Sequence, residues 1–223
     1  SFAASFGATT LSLLKEKGIE GEIEQMLSGF SALSVRDRHS WEMVKALTGR
    51  EAYMHIDPVL LYDFSQEIPK ETVCKDTIIV YAYSGRMQER EIAAIQDFAR
   101  KHKKELVSIG TYQPFCQKNL SHISPFSLLA HIRDADYIIT DTFHGCVYAL
   151  KYHKPFCVFS RPTNREKIEG LLEIFCEKSR NIEKIEDLEM ILGQSVKKEK
   201  NNSLINRRKW EAIQYLENQC QSL

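Results

Sequence analysis

Short apolar runs recur along this chain with helix-patterned stretches between them. TIIVYAYS, ELVSIG, DYIITD and PFCVFS are almost uninterrupted in apolar character. A strand with one solvated face alternates apolar and polar residues, whereas a strand covered on both faces reads apolar throughout. Strands of the second kind, separated by helices, predict an α/β chain with mostly parallel, doubly wound sheets. Upstream, FAASF, ALSVRD and AYMHID read as three further strands.

The helices carry their own signals. Between Gln88 and Lys103, Ile92, Ile95, Phe98 and Ala99 recur at helical spacing with charges opposite. Ser124-Pro125 opens a second helix, serine capping free amides and proline tolerating the first turn. Phe126, Leu129 and Ile132 form its apolar side. A third helix begins near Gly145. A fourth, near Asn164, has Ile168, Leu171, Leu172 and Phe175 as its stripe, and a fifth has Ile185, Leu188, Ile191 and Leu192. VKKEKNNS reads as a charged loop, after which Trp210, Ile213 and Leu216 mark a terminal helix.

DPVLLYDFSQEIPK, from Asp57 to Lys70, has two prolines and little periodicity, and reads as an interdomain linker. The expected division is 1–66 as the later part of a first domain with its linker, 67–196 as a second domain, and 197–223 as a helix packing back toward the first. The sequence begins SFAASFG, without methionine and directly on a strand pattern, so the upstream part of the first domain is expected to be missing.

Charge and cysteine usage narrow the function classes. Thirty basic residues balance thirty acidic ones among 223, so no global field favours nucleic acid or an anionic membrane. The six cysteines form no CxxC pair and no Cys/His spacing suited to zinc. Free thiols in a reducing, cytoplasmic compartment are expected. No apolar stretch approaches the ~20 residues a membrane-spanning helix needs.

In open α/β sheets ligands bind at the carboxyl ends of the strands. DYIITD ends at Asp141, which puts Thr142, Phe143, His144 and Gly145 on that rim. Gly145 permits a tight turn and close approach of a ligand. Thr142 is placed to cap the next helix, whose free amides favour an anion. His144 there is a proton donor or a cation facing phosphate; the alternative is a histidine satisfied at a helix start. Of the other histidines, His102, His122, His131 and His153 fit solvated positions, and His55 a hydrogen-bonded strand position. SRPTNREKIEGLL gathers Arg161, Arg165 and Lys167 at a helix start, where cations are unfavourable unless they face an anion or solvent. Arg36 ends the strand in ALSVRD, with pairing to Asp37 or Glu42 as the alternative. Gly85 and Arg86, after TIIVYAYS, form only a loose likeness to a phosphate-binding turn, since GxGxxG and the P-loop lysine are absent.

Taken in order, SFAASFG, ALSVRD, HIDPVLL, ADYIITDTFHG, KPFCVF and NREKIEGLLEIF resemble the polysaccharide pyruvyl transferase family. The resemblance covers most of the chain, and TDTFHG with KPF is its most specific part. It implies two Rossmann-like domains in a GT-B-like arrangement. It implies transfer of the enolpyruvyl group of phosphoenolpyruvate to a sugar of a cell-surface polysaccharide or its lipid-linked precursor, forming a ketal and releasing phosphate. The family's strand-end arginine falls on Arg36 and its histidine on His144; its later basic residues correspond to Arg165 and Lys167. Many relatives carry arginine before the histidine, where this chain has Phe143. Relatives also carry a whole first domain, whose absence here bears on the acceptor site and on activity of this chain alone.

The expected site therefore has His144 and Arg36 as catalytic residues. Thr142, Phe143, Gly145, Arg161, Asn164, Arg165, Lys167, Gly85 and Arg86 surround the substrate. No metal or cofactor is expected beyond phosphoenolpyruvate as donor substrate. The expected partners are a small anionic donor and a carbohydrate acceptor, with no nucleic acid and no transmembrane segment, and with peripheral membrane attachment only through a lipid-linked acceptor. Two other readings stay open: a GT-B-type glycosyltransferase or sugar-nucleotide epimerase, and a truncated carbohydrate-binding module without activity.

Overall fold

A computed structural model describes residues 1–221, and the chain is mixed α/β with parallel sheets. It divides into two units, Ser1–Leu61 together with the chain from Asn202 onward, and Tyr62–Asn201.

In the first unit, α1 (Leu11–Glu16) and α2 (Glu20–Ser28) precede β1 (Ser34–Val35). Helix α3 (Arg38–Thr48) then leads to β2 (Tyr53–Met54), which pairs in parallel with β1, and α4 (Pro58–Leu61) follows. The start of α3 is set locally. The Asp37 carboxylate accepts from the Ser40 amide at 2.8 Å and from its hydroxyl at 2.7 Å, satisfying a donor that a helix start leaves free. Gly49 ends the helix at φ 68°, a left-handed position suited to glycine. FAASF forms a single parallel bridge, Ala4 to Val35, rather than a strand. Its small residues lie against a two-residue strand too short to extend the pairing.

The second unit holds β3 (Thr77–Tyr81), α5 (Glu89–Lys101), β4 (Glu105–Ile109), β5 (Lys118–Leu120), α6 (Pro125–Asp134), β6 (Tyr137–Thr140), α7 (Phe143–Lys151), β7 (Phe156–Val158), α8 (Arg165–Ile174) and α9 (Leu188–Gly193). Its five strands are parallel in the order β5-β4-β3-β6-β7. Ile78, Ile79, Val80, Ile138 and Ile139 are fully buried, so both sheet faces are covered, as their uninterrupted apolar runs require. Each such side chain contributes about 1.5–3 kcal/mol relative to exposure. Ser124 caps α6 by accepting from the Ser127 amide at 3.1 Å, with Pro125 in its first turn.

Several expectations give way to packing. Phe126 is exposed, and α6 instead buries Leu129, Ala130 and Ile132. The charged stretch from Lys198 is the first part of a helix, α10 (Lys198–Gln221), because straight-chain charged residues are good helix formers; residues 222–223 of the expected terminal helix lie outside those described. Trp210, Ile213 and Leu216 lie on its exposed side, while Ala212 and Tyr215 are buried. The Tyr215 hydroxyl donates to the Ser1 carbonyl at 2.8 Å. His102, His131 and His153 are half-buried rather than solvated: the His102 ring stacks on Phe98 at 4.2 Å, and His131 contacts the Ser127 carbonyl at 2.8 Å. His55 is buried against the Ser34 hydroxyl at 2.6 Å.

From Tyr62 the chain does not run free. Lys151 donates to the Tyr62 carbonyl at 2.5 Å, and Arg133 donates to the carbonyls of Pro69 (2.5 Å) and Glu71 (3.0 Å). All six cysteines are free thiols; Cys116, Cys146 and Cys157 are buried, Cys74 is half-buried, and Cys176 and Cys220 are exposed. Burial pushes the Cys116 thiol up to about 12, and those of Cys146 and Cys157 further still. Among the described residues no helix is long and apolar enough to cross a membrane.

Arg180 is fully buried and gathers the end of the second unit. It donates to Glu177 at 3.0 Å and to the carbonyls of Ile191, Gln194 and Ser195 at 2.8, 3.1 and 3.0 Å. Arg180→Met would strand the Glu177 carboxylate and three carbonyls in the interior. A loss of about 3–5 kcal/mol is expected in urea unfolding, against under 1 kcal/mol for the exposed-pair control Lys178→Met.

Candidate functional site

The strand order creates one topological switch point. From β3 the chain winds outward to β4 and β5, then returns to place β6 on the other side of β3. In open parallel sheets the crevice at the carboxyl ends of two such strands is where ligands bind. Tyr81 and Thr140 are register partners, so Ala82–Arg86 and Asp141–His144 leave the sheet side by side.

Two consecutive residues of β6 and its end organise this rim. The Thr140 hydroxyl, fully buried, donates to the Tyr81 carbonyl at 2.6 Å and accepts from the Thr142 amide at 3.0 Å. Asp141 is also fully buried. Its Oδ1 accepts from the Tyr83 amide at 3.0 Å, its Oδ2 lies 3.9 Å from Arg86, and its carbonyl accepts from the Asn164 side chain at 2.7 Å. The turns after β3, β6 and β7 thus meet on one carboxylate residue. Burial raises the Asp141 pKa above its ordinary 3.8, opposed by the Tyr83 amide, Arg86 and Arg161.

Thr142 caps α7 by accepting from the Gly145 amide at 2.9 Å. Phe143 and His144 therefore occupy the first turn, where backbone amides point out of the helix. His144 is half-buried, with its ring centroid 5.6 Å from Phe143, edge on, and 6.0 Å from Tyr148 one turn later. Gly145 is there for packing, not for a left-handed turn: a Cβ at this position would lie 2.0 Å from the Thr140 hydroxyl oxygen. Gly85, at φ 70°, is the glycine the turn itself requires.

The basic residues divide by partner. Arg161 gives its whole fork to Glu91, at 2.8 and 2.6 Å, in a mostly buried pair. Asn164 accepts from the Arg161 amide at 2.9 Å while bonding Asp141, so it fastens the turn rather than capping α8. Arg86 donates to Thr163 at 3.0 Å and lies 4.8 Å over the Tyr83 ring. Arg165 is largely exposed, with Glu169 at 4.0 Å, and Lys167 is half-buried in the same first turn of α8. In the first unit, Arg36 pairs with buried Asp57 at 3.0 Å rather than with Asp37 or Glu42. Asp37 is the cap of α3, and Glu42 is taken by Arg38 at 2.9 Å.

The structure brings Thr142, Phe143, His144, Gly145, Asn164, Arg161, Gly85 and Arg86 to the switch point of the second unit. Sequence reasoning overlooked Asp141, Thr140 and Glu91 as its organisers. An acid ending an apolar strand was the available signal for Asp141. The Gln88-x-x-Glu91 spacing, realised as a 2.8 Å bond from the Gln88 amide to Glu91, was the signal for Glu91.

The family sequence model described as polysaccharide pyruvyl transferase matches residues 1–162. No curated protein matches the chain. Among solved structures, the glycotransferase of kitacinnamycin is 14% identical, over 68% of this chain and 43% of its own, at a TM-score of 0.42. The glycosyltransferase SnogD from Streptomyces nogalater is 13% identical, over 83% and 64%, at 0.42. A variant of the wall teichoic acid polymerase TagF is 11% identical, over 99% and 63%, at 0.45. The chain spans less than two thirds of the length of each.

Two substitutions test the organisation of the rim. Gly145→Ala would gain about 1 kcal/mol of helix propensity but must displace Thr140, a stiff side chain held by hydrogen bonds; overpacking costs about 1–3 kcal/mol, so a net loss is expected. Gly170→Ala, in α8 with no atom near its Cβ position, should be neutral or stabilising in the same denaturant titration. For Asp141, a raised native pKa means its favourable contribution is complete below pH 3.8 and is lost as pH rises through the native value. Unfolding free energy of the parent relative to Asp141→Asn should therefore fall across that window and then level; a flat difference would contradict the burial of the charge.

Proposed function

The chain belongs to the polysaccharide pyruvyl transferase family, and we propose that it moves the enolpyruvyl group of phosphoenolpyruvate onto a sugar, forming a pyruvate ketal and releasing phosphate. The observation that carries this reading is His144 on the first turn of a Thr142-capped helix at the sheet's switch point. The positive end of that helix's dipole favours the anionic donor, and Arg86, Arg165 and Lys167 supply cations from the neighbouring turns.

In the proposed reaction His144 gives a proton to the donor's methylene carbon, and a sugar hydroxyl oxygen bonds to the adjacent carbon as its own proton passes to the vacated imidazole. A second hydroxyl then bonds to the same carbon, the carbon–oxygen bond to phosphate breaks, and the second hydroxyl's proton leaves with phosphate. Protein groups hold a proton and an anion; no electron acceptor is needed. Arg161 serves this site indirectly, since its fork is committed to Glu91 and holds the β7–α8 turn in place.

General acid help is worth about 100- to 10,000-fold in rate. His144→Gln should lower phosphate release from phosphoenolpyruvate with mixed sugar acceptors by about that factor, while the melting temperature stays within a few degrees of the parent. Unchanged phosphate release in the variant would remove His144 from the chemistry. Calorimetric binding of sugar nucleotides with no binding of phosphoenolpyruvate would favour a glycosyltransferase instead.

A further inference from the structure

Beside the switch point, two tyrosines stand out in solvent on turns that are otherwise tightly held. Tyr83 follows β3 and Tyr112 follows β4; they are 55% and 61% exposed. Their turns are joined by Gln113, itself buried, whose side-chain amide donates to the Ala82 and Tyr83 carbonyls at 3.1 and 3.2 Å. The Thr111 hydroxyl donates to the Ala82 carbonyl, and the Ser84 hydroxyl to the Tyr112 carbonyl at 3.4 Å. The Tyr83 amide is bound by Asp141. Two large rings are thus kept in water on backbone fixed from both sides.

The composition of these turns selects the ligand. Residues 82–88 read AYSGRMQ and 110–117 read GTYQPFCQ, so Arg86 is their one charged residue in a chain that is 27% charged. The exposed residues include Tyr83, Ser84, Gln88, Tyr112, Pro114 and Gln117, none of them charged, with Arg86 half-buried beside them. That set suits a neutral, many-hydroxyl ligand with an apolar face: a pyranose stacks its C–H face on an aromatic ring while hydroxyls and amides meet its rim. Arg86 ties the surface to the candidate site, because it lies over the Tyr83 ring and beside Asp141.

We propose that Tyr83 and Tyr112 form a carbohydrate-binding platform that receives a neutral pyranose of the acceptor next to His144. The assignment rests on the pyruvyl-transfer reading for the ligand's role, and on the turns themselves for its chemistry. No bond is made or broken at the platform; it positions the sugar.

The test is titration of the 223-residue chain with methyl β-glycosides of glucose, galactose and N-acetylmannosamine, followed by ligand-observed NMR, with phosphoenolpyruvate binding measured separately by calorimetry. At least one glycoside should bind, Tyr112→Ala and Tyr83→Ala should each weaken it fivefold or more, and Tyr83→Phe should retain it. Tyr112→Ala should bind phosphoenolpyruvate as the parent does. Tyrosine-dependent glycoside binding without phosphoenolpyruvate binding would uphold the platform and overturn the donor assignment. No glycoside binding, glycoside binding by both alanine variants as tight as the parent's, or tyrosine-dependent binding of uridine monophosphate in place of the sugars would overturn the platform.

Discussion

A carboxylate with no exposure at the end of an apolar strand is costly, and three turns of the second unit converge on the residue that carries it. Asp141 takes the Tyr83 amide on its side chain and the Asn164 amide on its carbonyl, and has Arg86 nearby. Taking a charge out of water costs several kcal/mol; the Tyr83 amide and Arg86 offset part of it, Oδ2 makes no hydrogen bond, and burial raises the pKa. One residue therefore fixes three turns that arrive from different strands. Thr140, just before it, fixes the start of α7 by the same means, and Gly145 is the residue small enough to let the helix settle on it.

This explains which parts of the fold were legible. The strands of the second unit announced themselves because both faces are buried, leaving no polar alternation. Strand β5, KNL, carries no such signal: it is an edge strand, half-exposed, and is paired through its backbone to β4. FAASF looked like a strand because its residues are apolar, yet strand length is set by the partner, and β1 offers two residues. Trp210, Ile213 and Leu216 obeyed helical spacing, but the buried side of α10 is chosen by where Ala212 and Tyr215 fit. Periodicity finds a helix more reliably than it finds the face the helix buries.

The site was legible in the same uneven way. Thr142 and His144 were visible because a strand, a capping residue and a helix follow one another directly in the chain. The fate of the arginines was not, because their partners are remote in sequence. Glu91 lies 70 residues before Arg161, and Thr163 lies 77 after Arg86. A basic cluster read along the chain looks like an anion grip; in three dimensions part of it is scaffolding for the turns that present the rest.

The distribution of sulfur has a practical corollary. Cys116, Cys146 and Cys157 lie in the interior with thiols held neutral by burial, while Cys176 and Cys220 face water. Thiolate is the species that reacts with maleimides and disulfide reagents. Modification in the native state is thus expected chiefly at Cys176 and Cys220, and the interior sulfurs become reactive only when the structure around them opens. The protein carries its own chemical clock for opening of the parallel sheet, readable by mass spectrometry without any added label site.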